Sequence, residues 1–150
     1  MAFNKKKIIT CILCAPVILY IAYHDLYLMS GAGDKSIAEK AVRDAILSSG
    51  REDLELSQIS GYHCNFLNHR QQENKVRTYR CSASAVFADG TSAKVSIQKK
   101  EYTRTHYNHG SKHKNVYKIE FTATIHDPGH GLGPDIQGSS SITSVIGAFL

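Results

Sequence analysis

The sequence predicts an α+β domain: one amphipathic helix packed on a four-stranded antiparallel meander, preceded by an N-terminal transmembrane or signal helix. Three observations predict it. Residues 8–23 carry no charge, apolar residues recur at three- and four-residue spacing over 36–49, and four later segments alternate apolar with polar. The chain has 150 residues, 42% hydrophobic and 21% charged, which excludes wholesale disorder and collagen-like repeats. Three regions follow: 1–32 for export or anchoring, 33–126 for the domain, and 127–150 for a Gly-, Pro- and Ser-rich tail with an apolar end.

Lys5, Lys6 and Lys7 precede an uncharged run of 16 residues, short for a membrane span and at the upper limit of a signal core. Continuing through His24 and Asp25 to Met29 gives 22 residues, enough to span with both polar groups in the interface. The lysines set the N-terminus inside. Tyr20, Tyr23 and Tyr27 suit an outer aromatic belt, and Pro16 is tolerated within a span. The alternative is a signal peptide cleaved near Ala32, where Ser30 and Ala32 are small. Both readings export residues 33–150, to the periplasm or cell surface or, after cleavage, into the medium. Cys11 and Cys14 lie inside the apolar run and read as small hydrophobes. Cys64 and Cys81 lie in the exported part and read as one disulfide, contributing about 3 kcal/mol through unfolded-chain entropy.

Residues 36–49 read as the amphipathic helix. Ser36-Ile37-Ala38-Glu39 has the form of a capping box, Ile37, Ala38, Ala41, Val42, Ala45 and Ile46 form the apolar face, and Gly50 is the stop. Strands follow near 54–66, 76–87, 91–103 and 116–126. A three-residue loop, Ala88-Asp89-Gly90, sets Ala85 against Ala93, Ala83 against Val95 and Cys81 against Ile97; a two-residue loop would mix the faces. Pairing Cys64 with Cys81 then sets Tyr62 against Ala83 and Phe66 against Tyr79. Alternation adds Tyr117, Ile119, Phe121, Ala123 and Ile125 to the apolar face, which the helix covers. Arg77 falls opposite Glu101 as a cross-strand charge pair. In outline this arrangement resembles cystatin-like and NTF2-like folds, which host unrelated functions. The Gly- and Pro-rich segment 127–134 cannot continue a strand, 138–141 reads as loop, and the apolar C-terminus is expected to dock on its own domain.

The stretch between the third and fourth strands, 104–115, reads as a basic loop with three histidines. His106, His109 and His113 stand at spacings suited to a Zn, Cu or Ni ion. Arg104, Lys112 and Lys114 oppose a cation there and no acid lies in the loop, so no cofactor is expected. The sequence has no Gly-x-Ser-x-Gly elbow, His-Glu-x-x-His helix, phosphate loop or dinucleotide fingerprint. His126-Asp127 with one of Ser139, Ser140 or Ser141 is the only serine constellation suggested, and a linker is the better reading of those serines.

Charge is distributed unevenly. Residues 34–62 hold four basic against six acidic residues, and 63–118 hold eleven against three. Arg80, Lys94, Lys100, Arg104, Lys112, Lys114 and Lys118 make the outer sheet face and its loop a candidate binding surface for an acidic protein or an anionic envelope component. Nucleic acid is disfavoured by export. The expected function is a non-catalytic binding module of the cell envelope, inhibitor- or immunity-like or an accessory subunit of an envelope complex. The alternatives are a His-loop metal-binding protein and a pilin-like subunit. The latter resembles this layout, yet no Gly precedes the apolar run and no Glu sits just inside it.

Overall fold

Among the described residues, apolar residues at helical spacing give two helices and alternating ones five strands: α1 Lys5–Met29, α2 Asp34–Ser48, β1 Leu56–Phe66, β2 Val76–Phe87, β3 Ser92–Asn108, β4 Ser111–His126 and β5 Ile136–Thr143. The computed structural model describes residues 5–29, 33–67, 76–127 and 134–144, with the side chains of residues 5–13, 28, 29, 106, 108, 113 and 114 outside that description. The strands form one antiparallel sheet in sequential order. The class is α+β, with five strands where the sequence predicts four.

The β2–β3 register is the expected one. Ala85 opposes Ala93, Ala83 opposes Val95 and Cys81 opposes Ile97. Gly90 takes φ 84° in the three-residue loop, where a side chain would be strained. Cys64 opposes Cys81 and is bonded to it, and Phe66 opposes Tyr79. Tyr62 does not oppose Ala83. The register shifts between Ser60 and His63, where Gly61 at φ 62° permits a bulge.

α2 starts two residues before the expected helix, so Ser36 lies inside it and no capping box forms. Gly33 is the N-cap and makes no side-chain cap bond. Glu39 instead accepts from Arg43 at 2.8 Å. At the other end Gly50, at φ 69°, follows the C-cap Ser49 as predicted.

Residues 104–115 are not a loop. β3 runs on to Asn108 and β4 begins at Ser111, joined by a tight turn in which His109 and Gly110 have φ 47° and 80°. Thr103, Thr105 and Tyr107 favour the extended chain, and two positive φ values suit a two-residue hairpin turn. The register also shifts between Tyr102 and Thr103, leaving Tyr117 as the extra residue on β4. Its ring lies 6.3 Å from that of Tyr102, not in the apolar core as alternation predicts.

The fifth strand comes from the segment read as tail. β5 pairs with β4, setting Ile136 against Ile125, Gly138 against Ala123 and Ile142 against Ile119. α2 packs chiefly on β5 and β4, with a lesser contact to β1. A Cβ on Gly138 would lie 2.4 Å from the Ala45 Cα, so only glycine lets helix and strand approach this closely. The core joins the apolar face of α2 to Ile59, Cys81, Val95, Ile97, Phe121 and Ile125 of the sheet.

α1 has 25 residues. Among the described residues no helix is long and apolar enough to cross a membrane. The lysine triplet's side chains, the segment 30–32 and the apolar C-terminus from 145 lie outside the described residues. At its C-terminal end α1 meets the domain: buried Asp25 accepts a hydrogen bond from Ser144 Oγ at 2.7 Å.

Candidate functional site

The two faces of the sheet differ in chemistry because side chains alternate. Along β3 the inner face reads Ala93, Val95, Ile97 and Lys99, and Lys99 is only 6% exposed. Its ammonium forms a hydrogen-bonded ion pair with Asp34 in the first turn of α2, and contacts Glu101 Oε1 at 2.8 Å. Tyr79 donates to Glu101 Oε2 at 3.0 Å, and the Lys99 ammonium lies 5.0 Å from the Tyr79 ring centre. Burial opposes the Lys99 charge, but the bonds to Asp34 and Glu101 prevail and hold its pKa above the usual lysine value. Burial, and then the charge of Asp34, push the Tyr62 phenol well above its usual range. Arg77 does oppose Glu101 in register, yet Glu101 forms its ion pair with Lys99. This cluster ties α2 to the sheet from inside.

The outer face is the candidate site. Cross-strand register arranges it in rows. Asn65, Arg80, Gln98, Thr122 and Ser139 oppose one another in turn, as do His63, Ser82, Ser96, Thr124 and Gln137. Both rows contain only hydrogen-bonding side chains. All of these except Ser139 and His63 line a concavity of about 500 Å³, whose lining is completed by Leu67, Tyr79, Cys81 and Ile97.

The predicted cations divide into two groups. Arg80 lines the concavity, and Lys94 and Lys100 lie on the same face of β3. None of these three forms an ion pair among the described residues. Lys118 does: it contacts Glu120 Oε1 at 2.6 Å and lies 5.3 Å from the Tyr102 ring centre. The bond from Lys118, and then that from Tyr102, lower the Glu120 pKa. The positive charge expected of Lys118 is therefore largely answered within the chain. Arg104 stacks on Tyr117 at 4.7 Å, beyond the bulge, with Lys112 exposed further along the hairpin. The backbone of Lys114 lies opposite Thr105.

Of the predicted metal ligands, His106 and His113 face each other across the hairpin and His109 sits in its turn. The side chains of His106 and His113 lie outside the described residues. Among the described residues no group of three metal-ligating side chains comes together.

At the edge of the concavity is an arrangement absent from the sequence reading. Ser96 Oγ lies 2.7 Å from His126 Nε2, and His126 Nδ1 lies 2.8 Å from Asp135 Oδ2. Asp135 Oδ1 also accepts from the Asp127 backbone N–H at 3.2 Å. The bond from His126, and then that from Asp127, lower the Asp135 pKa. An ionised Asp135 accepts from Nδ1–H, which leaves Nε2 to accept the Ser96 proton. Asp127 takes φ 52° at the end of β4, where the chain leaves the strand, and pairing of Ile125 with Ile136 returns Asp135 to His126. The serines suggested as partners from sequence are elsewhere, at Ser139, Ser140 and Ser141 on β5. The signal that could have found Ser96 is the β3–β4 register: Ser96 opposes Thr124, one outward position from His126.

No protein-family model, curated protein or solved structure matches this chain. The likeness to cystatin-like and NTF2-like outlines therefore assigns nothing beyond the α+β class.

Proposed function

We propose that the chain is a small membrane-anchored binding module of the cell envelope, using the outer sheet face to hold an acidic protein partner. The observation that carries this reading is the group of three cations, Arg80, Lys94 and Lys100, that form no ion pair among the described residues and share the outer face with the concavity. Such a surface steers and orients an acidic partner.

The anchor is α1, N-terminus inside and domain exported. Its support is the lysine triplet and uncharged run in sequence, together with the exposure of Val17, Ile18, Leu19, Tyr23 and Leu26 at 58–70%. Apolar side chains so placed favour lipid over water. The bond between Asp25 and Ser144 supports retention of the helix, because cleavage near Ala32 would remove the acceptor that Ser144 uses.

The test is capture from envelope extracts by the full chain in detergent, after crosslinking, beside the charge-reversed variant Arg80→Glu/Lys94→Glu/Lys100→Glu. The expected result is an acidic protein retained by the native chain, released as salt rises and lost with the variant. Equal capture by both forms, or binding confined to anionic lipid vesicles, overturns it.

A further inference from the structure

We propose that Ser96 is an activated nucleophile and that the outer concavity accepts O-acyl esters of hydroxyl-rich alcohols. This goes beyond the binding reading and does not rest on it: Arg80 serves both, but acyl transfer alone needs the Ser96 hydroxyl and His126, which capture does not.

The geometry has the order that nucleophilic catalysis needs: hydroxyl, imidazole, orienting carboxylate, each within hydrogen-bond reach of the next. The carboxylate is itself held, by the Asp127 N–H. Ser96 lines the concavity, so its oxygen is accessible to a ligand there. The backbone N–H groups around it are committed to the sheet ladder. The donors for a developing oxyanion are therefore side chains, and the Arg80 guanidinium and Gln98 amide line the same concavity. The rows of Ser, Thr, Gln and Asn match the hydroxyls of a polyhydroxylated leaving group, and Leu67, Tyr79, Cys81 and Ile97 in the same lining offer apolar surface to the acyl group.

The step balances with ester and water alone. Ser96 Oγ forms a bond to the ester carbonyl carbon as its proton passes to His126 Nε2. The carbon–oxygen bond to the alcohol then breaks, and His126 returns the proton to the departing oxygen. Water repeats the sequence on the acyl-serine and restores the hydroxyl. His126 acts as general base and acid, and Asp135 is a positioning residue that fixes the imidazole tautomer.

The experiment treats the full chain in detergent with a fluorophosphonate probe and, separately, with p-nitrophenyl acetate. The expected adduct maps to Ser96 by peptide mass. Ester hydrolysis is expected to fall by at least about a hundredfold in Ser96→Ala and in His126→Gln, the lower end of the range for general-base assistance. Asp135→Asn should slow labelling and Asp135→Glu should restore it, with the thermal midpoints of all variants unchanged. That rescue separates positioning from a merely structural role. Absence of a Ser96 adduct, or equal hydrolysis by the native chain and Ser96→Ala, overturns the proposal.

Discussion

Lys99 shows how much one inward side chain governs here. It occupies an apolar-face position yet carries a charge, and it remains charged because Asp34 and Glu101 meet it where water does not. Removing one partner of a buried pair leaves the other uncompensated. Lys99→Ala should destabilise the domain by roughly 3 kcal/mol, read from urea unfolding. The pH dependence has a definite sign. A lysine with a raised folded pKa stabilises fully below its unfolded value, about 10.4, and loses that contribution as pH rises through the folded value. The native chain should therefore lose stability at alkaline pH more steeply than Lys99→Ala. Gly138 is the second decisive residue. Gly138→Val places atoms against the Ala45 backbone and should cost about 3 kcal/mol through displacement of α2, measured by the same unfolding.

Among the elements, β5 and the β1–β2 pair carry different burdens. β5 has Gly138 and three serines at its centre, weak for a strand, and is held by pairing with β4 and by α2 lying across it. Its small inward residues, Gly138 and Ser140, permit that crossing. β1 is the opposite edge, interrupted by the Gly61 bulge and fastened by the Cys64–Cys81 bond across a separation of 17 residues. Reducing the bond, or replacing both cysteines by serine, should lower stability by about 3 kcal/mol on the chain-entropy account. Calorimetry with and without reductant checks it: an unchanged midpoint would mean that β1 is held by the core alone.

For the whole molecule the question is what α1 does for the domain. Asp25 and Ser144 are 119 residues apart in sequence, and both are buried where they meet. If the helix is retained, the mass of the exported protein should include residues 1–32, and Asp25→Ala should lower the thermal midpoint of the full chain. A mature mass beginning after Ala32 would refute retention directly. The outer cations Arg80, Lys94 and Lys100 act at the same scale, through a summed field that falls off over about 8 Å at physiological salt. Partner capture should accordingly weaken with salt while the melting temperature does not follow it.

The sequence by itself determined whatever periodicity and pairwise register express. The spacing of Ile37, Ala41 and Ala45 specifies α2. The Ala88–Gly90 loop specifies the β2–β3 register, because a slip of one residue would turn every apolar side chain to the wrong face, and the cysteine pair specifies β1–β2 from His63 to Phe66, up to the Gly61 bulge that the sequence pattern does not place. Tertiary structure decided the rest. It made a strand of a Gly- and Ser-rich segment, because packing against α2 outweighs local propensity. It buried Lys99, because the acids that answer its charge arrive from α2 and from the same strand. It also brought Ser96, His126 and Asp135 into one chain of hydrogen bonds. Residues that distant in sequence share no local pattern, and only the pairing of β3, β4 and β5 sets their side chains side by side.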